Sequence, residues 1–330
     1  MLQDNAIFLV CSIPPKEYRA ETGGNQPAND GAHMLVRFWG VRGSIPTPGP
    51  GTVYYGGNTP CVEVRAGGQI IILDSGTGIR QLGAALTSEF NGKPLDLTIL
   101  ITHTHWDHIQ GFPFFKPAYN PKNQIQVLGY EGARKGLASV LSQQMESPYF
   151  PIALKKLPGN IVIRELKKMS FNIGPVKVKA ELANHPGVCV GYRLESDDGS
   201  MAYLPDNEPF QRRHLLQRQS RKKKKPGGTE FARAADQKLV DFVRGVDLLI
   251  LDAQYDSIEY QQHVGWGHGC AEDAVNLAIR AGARQLSLFH HDPEHDDETI
   301  RRIADEARKL AGKNGVTVEA AREGDIWESP

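Results

Sequence analysis

Residues 97–101, Leu-Thr-Ile-Leu-Ile, run straight into Thr102-His103-Thr104-His105-Trp106-Asp107-His108. The apolar, β-branched run reads as a strand buried on both faces. A buried strand that ends in three imidazoles and a carboxylate needs something to offset the cost of desolvating them. His103 and His105, two residues apart, project to the same side of an extended segment. Asp107 and His108 fall where the chain turns into "HIQGFPFF", which reads as a short helix. Neutral imidazole and carboxylate suit Zn²⁺, Mn²⁺ or Fe, and no thiolate lies close enough in sequence for a structural zinc knot. Four ligand-type side chains in six residues exceed what one tetrahedral ion takes from a single loop, so two divalent metal ions sharing the segment are expected, zinc first, with manganese or iron as alternatives.

A pair of ions needs more ligands, and three stretches downstream offer them. His185 lies in "ELANHPG", Asp206 in "SMAYLPDNE", and His290 and His291 in "LSLFHHDPEHDDE", each where a strand-like run stops. Taken singly, a histidine at a strand end is more often a hydrogen-bonded surface residue than a ligand. The common position of all three is what counts, because strand ends at one rim of a sheet can gather side chains that are distant in sequence.

The rest of the chain alternates strand and helix patterns. Helices are read in "GIRQLGAALTSEF", "EGARKGLASVLSQQM", "AEDAVNLAIRAGA" and "DETIRRIADEARKLAG". A run of short strands covers residues 161–204, and "VTVEAA" reads as the closing strand. This interleaving predicts an α/β class, layered sandwich in one domain over residues 34–330, preceded by a Pro/Gly/Asn/Ala-rich leader, residues 1–33, expected to be disordered. No stretch approaches the roughly 20 apolar residues of a membrane span. The 38 basic and 38 acidic residues balance, so net charge favours no partner. Four cysteines without a CxxC pair read as reduced, mostly buried thiols of a cytoplasmic protein.

"THTHWDH" resembles the HxHxDH motif of the metallo-β-lactamase-fold hydrolases, and His185, Asp206 and His290 follow in that family's order. The resemblance covers about residues 34–330 and implies a four-layer αββα sandwich with the metals at one edge of two packed sheets. It implies one metal on His103, His105 and His185, a second on Asp107, His108 and His290, and Asp206 bridging both. His291 is the rival of His290, which is preferred because it follows the apolar strand directly. Asp74 in "IILDSGTG" matches the family's early Asp-x-Gly turn, with a mainly structural role. His105 stands where iron-based oxidoreductases of this fold carry a glutamate, which favours hydrolysis.

"RFWGVRGSIPTPG" resembles the opening of the family's phosphodiesterase branch, which includes ribonuclease Z and phosphodiesterases of cyclic nucleotides and cyclic phosphates. "GWGHGCAEDAVNLAIRAGA" resembles that branch's motif in which a histidine, here His268, opens a helix. The implied chemistry is attack on phosphorus by a hydroxide held between the metals, with Asp107 and Asp206 among the catalytic groups and His268 donating a proton to the leaving oxygen or holding the phosphate. Asp252 in "LILDAQYD" is read either as a carboxylate orienting a metal-bound histidine or as a buried structural residue. Arg42 and Asn58, in the glycine-rich loop, are candidate phosphate or base contacts. Trp266 is a candidate pocket wall or base-stacking side chain, and for both it and Trp106 core packing is the plainer reading.

Residues 211–228 hold eight Lys or Arg and no acid. The plain reading is a solvated loop; the sharper one is an arm for nucleic acid over residues 211–225. In ribonuclease Z the tRNA arm is inserted between the counterparts of His185 and Asp206, where this chain has only two strand patterns. The expectation is therefore a phosphodiesterase for a small cyclic nucleotide or related cyclic phosphodiester. The alternatives are a ribonuclease Z-type nuclease and, less favoured because of His268, a thioester or lactone hydrolase. A homodimer is compatible with the resemblance.

Overall fold

The computed structural model describes residues 33–130, 136–220 and 228–330. The expected leader falls, but for His33, outside them, as does the lysine run at 222–225. Fourteen strands form two seven-stranded sheets among the described residues. The first sheet is laid down by β1 (Leu35–Gly40), β2 (Cys61–Ala66), β3 (Gln69–Leu73), α1 (Ile79–Phe90), β4 (Asp96–Ile101), α2 (Trp106–Ile109), β5 (Gln124–Gly129), α3 (Leu137–Gln143) and β6 (Asn160–Glu165). The second comprises β7 (Ser170–Ile173), β8 (Val176–Leu182), β9 (Val190–Ser196), β10 (Gly199–Leu204), β11 (Leu248–Asp252), β12 (Gln285–Phe289) and β13 (Thr317–Ala320). Its helices are α4 (Phe210–Ser220), α5 (Gly228–Phe242), α6 (Ala271–Ala281) and α7 (Asp297–Ala311).

Strand alternation explains the layering. In β4, Leu97, Ile99 and Ile101 face the helix side with Leu82 and Leu86 of α1, while Leu100 joins the core between the sheets. That inner core takes Val62, Val64, Ile71 and Leu73 from the first sheet and Val178, Tyr192, Leu194 and Ile250 from the second. On the outer face of the second sheet, α7 buries Ile300, Ile303, Ala304, Ala307 and Ala311, the i, i+3, i+4 spacing of a helical apolar stripe. Asp296 caps its start by accepting from the Thr299 N–H at 2.8 Å. The result is helix, sheet, sheet, helix, as the resemblance implies.

Each sheet changes from antiparallel to parallel at its centre. β1, β2 and β3 pair antiparallel and β3 to β6 parallel. β8, β9 and β10 pair antiparallel and β10 to β13 parallel. β3 and β4 therefore end at one edge, and β8, β10, β11 and β12 all end at one edge of the second sheet. Loops that carry ligands leave from these carboxyl ends, where open α/β sheets place their sites.

Two expectations are corrected. β13 does not close the chain, because β14 (Ile326–Glu328) returns to the first sheet and pairs antiparallel with β1, Val36 opposite Trp327. The first part of the basic insert is not loop but helix α4, held at its base by Arg212, which reaches Glu272 at 3.3 Å and Asp273 at 3.0 Å. No helix among the described residues is long and apolar enough to cross a membrane.

Candidate metal centre

All seven candidate ligands converge on one edge of the sandwich. His103, His105, Asp107 and His108 follow β4 of the first sheet, whereas His185, Asp206 and His290 follow β8, β10 and β12 of the second. The turns that deliver them are tight. Four non-glycine residues among those described have positive φ, and Ser44, Asp74 and His290 are three of them, a costly conformation that tends to persist where a site over-determines it. Ser44 donates its backbone N–H to Asp107 Oδ2 at 2.8 Å. Gly43 stands beside His290, so that a Cβ there would lie 2.2 Å from the ring nitrogen Nδ1.

The ligand atoms form two sets joined by one carboxylate. In the first, His185 Nε2 lies 2.9 Å from His105 Nδ1, and Asp206 Oδ2 is 3.6 Å from both His103 Nε2 and His185 Nε2. In the second, Asp107 Oδ2 is 3.3 Å from both His108 Nε2 and His290 Nε2, and Asp206 Oδ1 is 3.0 Å and 3.5 Å from the same two nitrogens. Four donors at zinc bond lengths around one ion stand about 3.4 Å apart, which these edges match. His103 Nε2, His108 Nε2 and Asp206 Oδ1 are buried without a hydrogen-bond partner. Although His108 Nε2 and Asp206 Oδ1 are only 3.0 Å apart, they do not line up as a hydrogen bond. Three buried polar atoms with no hydrogen-bond partner are costly, and a shared cation accounts for all three. The donor set, nitrogen and oxygen without sulfur, fits a pair of divalent metal ions.

Outer partners fix three of the rings so that the inner nitrogen carries the lone pair. Asp74 Oδ2 holds His108 Nδ1 at 2.8 Å, the Gly267 carbonyl holds His185 Nδ1 at 2.9 Å, and Gln254 Oε1 holds His290 Nδ1 at 3.0 Å. Asp74 thus does more than shape a turn. It also accepts from the Thr102 N–H and the Tyr203 hydroxyl. Burial holds His103 well below the usual imidazole range and brings His185 down to about 4, leaving both neutral, as ligands must be. Burial opposes charge on His108 as well, but Asp206, Asp107 and Asp74 outweigh it and raise its pKa. A proton on that ring and a cation in the second set therefore compete for the same place.

His268 lies against both sets, its ring centroid 4.8 Å from that of His290, nearly parallel, and 5.0 Å from that of His185. Asp252 Oδ2 holds its Nδ1 at 2.9 Å. Asp252 therefore orients His268, whose ring nitrogen also lies with Asp206 and His290 in a group that could hold an ion. The same Oδ2 accepts from the Asn207 N–H at 2.9 Å, locking the loop after Asp206 to β11. Two further residues escape sequence reasoning. Gln254, two positions after Asp252, orients His290. Glu208, fully buried, accepts from the Tyr260 hydroxyl and the Gly265 N–H at 2.7 Å each and so fastens the loop that presents His268.

The other candidates fall in different places. His291 points away and contacts the Ala321 carbonyl at 2.8 Å through Nε2, and burial takes its pKa down to about 3. Arg42 is not at a substrate surface. It is 0% exposed and donates to the carbonyls of Gly56 at 2.9 Å, Asp292 at 2.8 Å and His295 at 2.6 Å. It staples the glycine-rich loop to the segment after β12. Arg42→Met is therefore expected to lower stability by about 3 kcal/mol in a denaturant titration, since it strands three carbonyls. A loss confined to KM, with stability unchanged, would contradict this. Asn58 lines a cavity, but its amide donates to Glu323 Oε2 and accepts from the Thr77 hydroxyl. Trp266 is 61% exposed and stands next to Gly267, whose carbonyl holds His185. Trp106 is likewise outside the core, 68% exposed.

Comparison with known proteins agrees with this geometry. The family described as "Beta-lactamase superfamily domain" matches residues 69–221. Ribonuclease Z of Thermoplasma acidophilum is 23% identical over 306 residues, 84% of this chain and 92% of that protein. Among solved structures, the metallo-β-lactamase-fold protein YhfI of Bacillus subtilis superposes with a TM-score of 0.63 at 17% identity, covering 90% of this chain and 100% of YhfI. A diphosphatase of the PhnP family does so with a TM-score of 0.59 at 17% identity, covering 90% and 98%. The matched span of residues 69–221 carries every ligand candidate but His290, and both sheets of the superposed structures are present: the chain has the metallo-β-lactamase fold.

Proposed function

We propose that this protein is a dinuclear metal-dependent phosphodiesterase that hydrolyses a small cyclic nucleotide or a related cyclic phosphodiester. The observation that carries the reading is the buried Asp206 carboxylate, one oxygen turned to each ligand set, with His268 packed against both. His103, His105, His185 and Asp206 would hold one ion; Asp107, His108, His290 and Asp206 would hold the other. When bound, such a pair supplies an activated water at neutral pH and neutralises charge that builds on the phosphoryl oxygens.

The chain's own groups do the rest. Asp252 occupies Nδ1 of His268 and leaves Nε2 as the atom available to substrate. Burial would lower the pKa of this ring, but Asp252 and then Asp206 push it up to about 9. His268 therefore holds a proton at Nε2 at neutral pH and can pass it to the leaving oxygen as the P–O bond breaks, or hold a phosphoryl oxygen before that. Ser44, donating to Asp107, and Gln254, holding His290, keep the second set in register.

A small substrate is favoured because β9 and β10 take up most of the span from His185 to Asp206, which leaves no room there for an arm of the ribonuclease Z kind. A nuclease of that type is the second reading, supported by the extent of the match to ribonuclease Z. A cytoplasmic setting fits the three free, buried thiols among the described cysteines.

The test is a substrate panel run on metal-loaded protein: bis(p-nitrophenyl) phosphate, 2′,3′- and 3′,5′-cyclic nucleotides, cyclic dinucleotides, a structured RNA and a thioester. Cleavage of a cyclic phosphodiester, abolished by chelation and restored by added Zn²⁺ or Mn²⁺, is expected. Turnover of the RNA alone would move the assignment to the nuclease, and turnover of the thioester alone would end the phosphodiesterase reading.

A further inference from the structure

A cavity of about 650 Å³ opens beside the metal centre, within the range that holds a drug-sized ligand. Its two walls are extensions of the segments that build the centre. One is the loop from Pro46 to Asn58, which begins two residues after Ser44, the donor to Asp107. The other is Trp106, Gln110 and Phe114, and Trp106 sits between the ligand candidates His105 and Asp107.

Much of the polar floor is already satisfied from within. Glu323 accepts from the Asn58 N–H at 2.6 Å and the Asn58 amide at 2.9 Å, and the Thr77 hydroxyl donates to that amide's oxygen at 3.0 Å. What stays uncommitted is of another kind. Trp106 is 68% exposed and Phe114 57%. Trp106 has no ring contact or side-chain hydrogen bond among the described residues. Arg80, also at the cavity, is exposed, and its guanidinium has neither an ion pair nor a hydrogen bond among them. Flat aromatic surface with an unpaired guanidinium in one cavity matches a planar heterocycle joined to an anion.

We infer that this cavity receives a second nucleotide unit of the substrate, its base against Trp106 and its phosphate at Arg80. A cyclic mononucleotide has one phosphate, which the metal centre would take, and Arg80 would then face nothing. A cyclic dinucleotide presents one phosphodiester to the centre and the other to Arg80. The inference rests on the phosphodiesterase reading and narrows its substrate to molecules with two phosphates.

The experiment compares metal-loaded wild type, Trp106→Ala and Arg80→Ala on cyclic di-AMP, 3′,5′-cyclic AMP and bis(p-nitrophenyl) phosphate, with metal content measured for each. For cyclic di-AMP, Trp106→Ala is expected to lower kcat/KM about 5- to 150-fold and Arg80→Ala roughly tenfold or more, mainly through KM. Losses on the two smaller substrates are expected to stay under about threefold, with metal content unchanged. Equal losses on all three substrates would overturn the inference by making both side chains mere supports of the metal loop, and so would no loss on cyclic di-AMP. Calorimetric binding of cyclic di-AMP keeps the two readings apart. Binding that Arg80→Ala weakens, in a protein that cuts no phosphodiester, upholds the cavity while the phosphodiesterase fails. Hydrolysis indifferent to both substitutions does the reverse.

Discussion

Replacing Asp206 by alanine is expected to leave fewer than one tightly bound metal ion per chain, against about two expected for the wild type, and to lower kcat/KM on any phosphodiester at least 10³-fold. Removing a group that merely orients a ligand typically costs 10- to 100-fold, and Asp206 touches both ligand sets itself. Its Oδ2 is 3.6 Å from His103 Nε2 and from His185 Nε2, and its Oδ1 is 3.0 Å from His108 Nε2. Without it the first set is three imidazoles with no negative charge, and the second keeps only Asp107 to offset a dication. The surrounding histidines hold the Asp206 carboxyl well below the usual carboxylate range despite its burial, so the charge lost is present at every working pH. Metal analysis after gel filtration and steady-state kinetics check this together, with circular dichroism confirming the fold. Two retained ions and activity within tenfold of wild type would remove Asp206 from the centre.

His268→Ala should behave differently: kcat falls 10²- to 10⁴-fold, the range of a positioned proton donor, while both metal ions stay. The distinguishing readout is pH. A proton donor works only while protonated, so activity that depends on His268 is full below its pKa and lost as pH rises through it. With Asp252 present, that pKa is raised to about 9 against the pull of burial. Asp252→Asn withdraws the main raising influence, and the alkaline limb of the kcat profile should move to lower pH, with a smaller loss at pH 6 than at pH 8. A limb that stays put in Asp252→Asn would mean His268 does not titrate in the reaction.

How far the sequence reaches is set by separation along the chain. The cluster after β4 is legible because its four residues are local, and because alternation and a helical start place them without any tertiary knowledge. His185, Asp206 and His290 are legible because β8 alternates apolar and polar residues, β10 and β12 end in apolar runs, and their carboxyl ends share an edge. Arg42 is misleading for the opposite reason. An arginine in a glycine-rich loop looks like a phosphate contact, and only folding reveals that carbonyls of Asp292 and His295 take it. The chemistry of Asp252 is legible but its partner is not, since which histidine it meets depends on the path of the loop fastened by Glu208. β14 is short, its three residues alternating exposed and half-buried, and carries too little pattern to announce itself. The Ser44 N–H is a backbone donor and has no signature at all.

The division of the ligands between the sheets has a mechanical consequence. Four come from the first sheet and three from the second, so neither sheet can form either complete set alone. Ions seated there would act as rivets at the edge where the two sheets meet. Separating the sheets must expel them, and filling the sites must resist that separation by mass action, worth about 2.7 kcal/mol per site at a hundredfold excess over Kd. Loss of metal and loss of the inner-core contacts should then be one cooperative event, and a chelator should loosen the sandwich at its seam before it disturbs the helices outside.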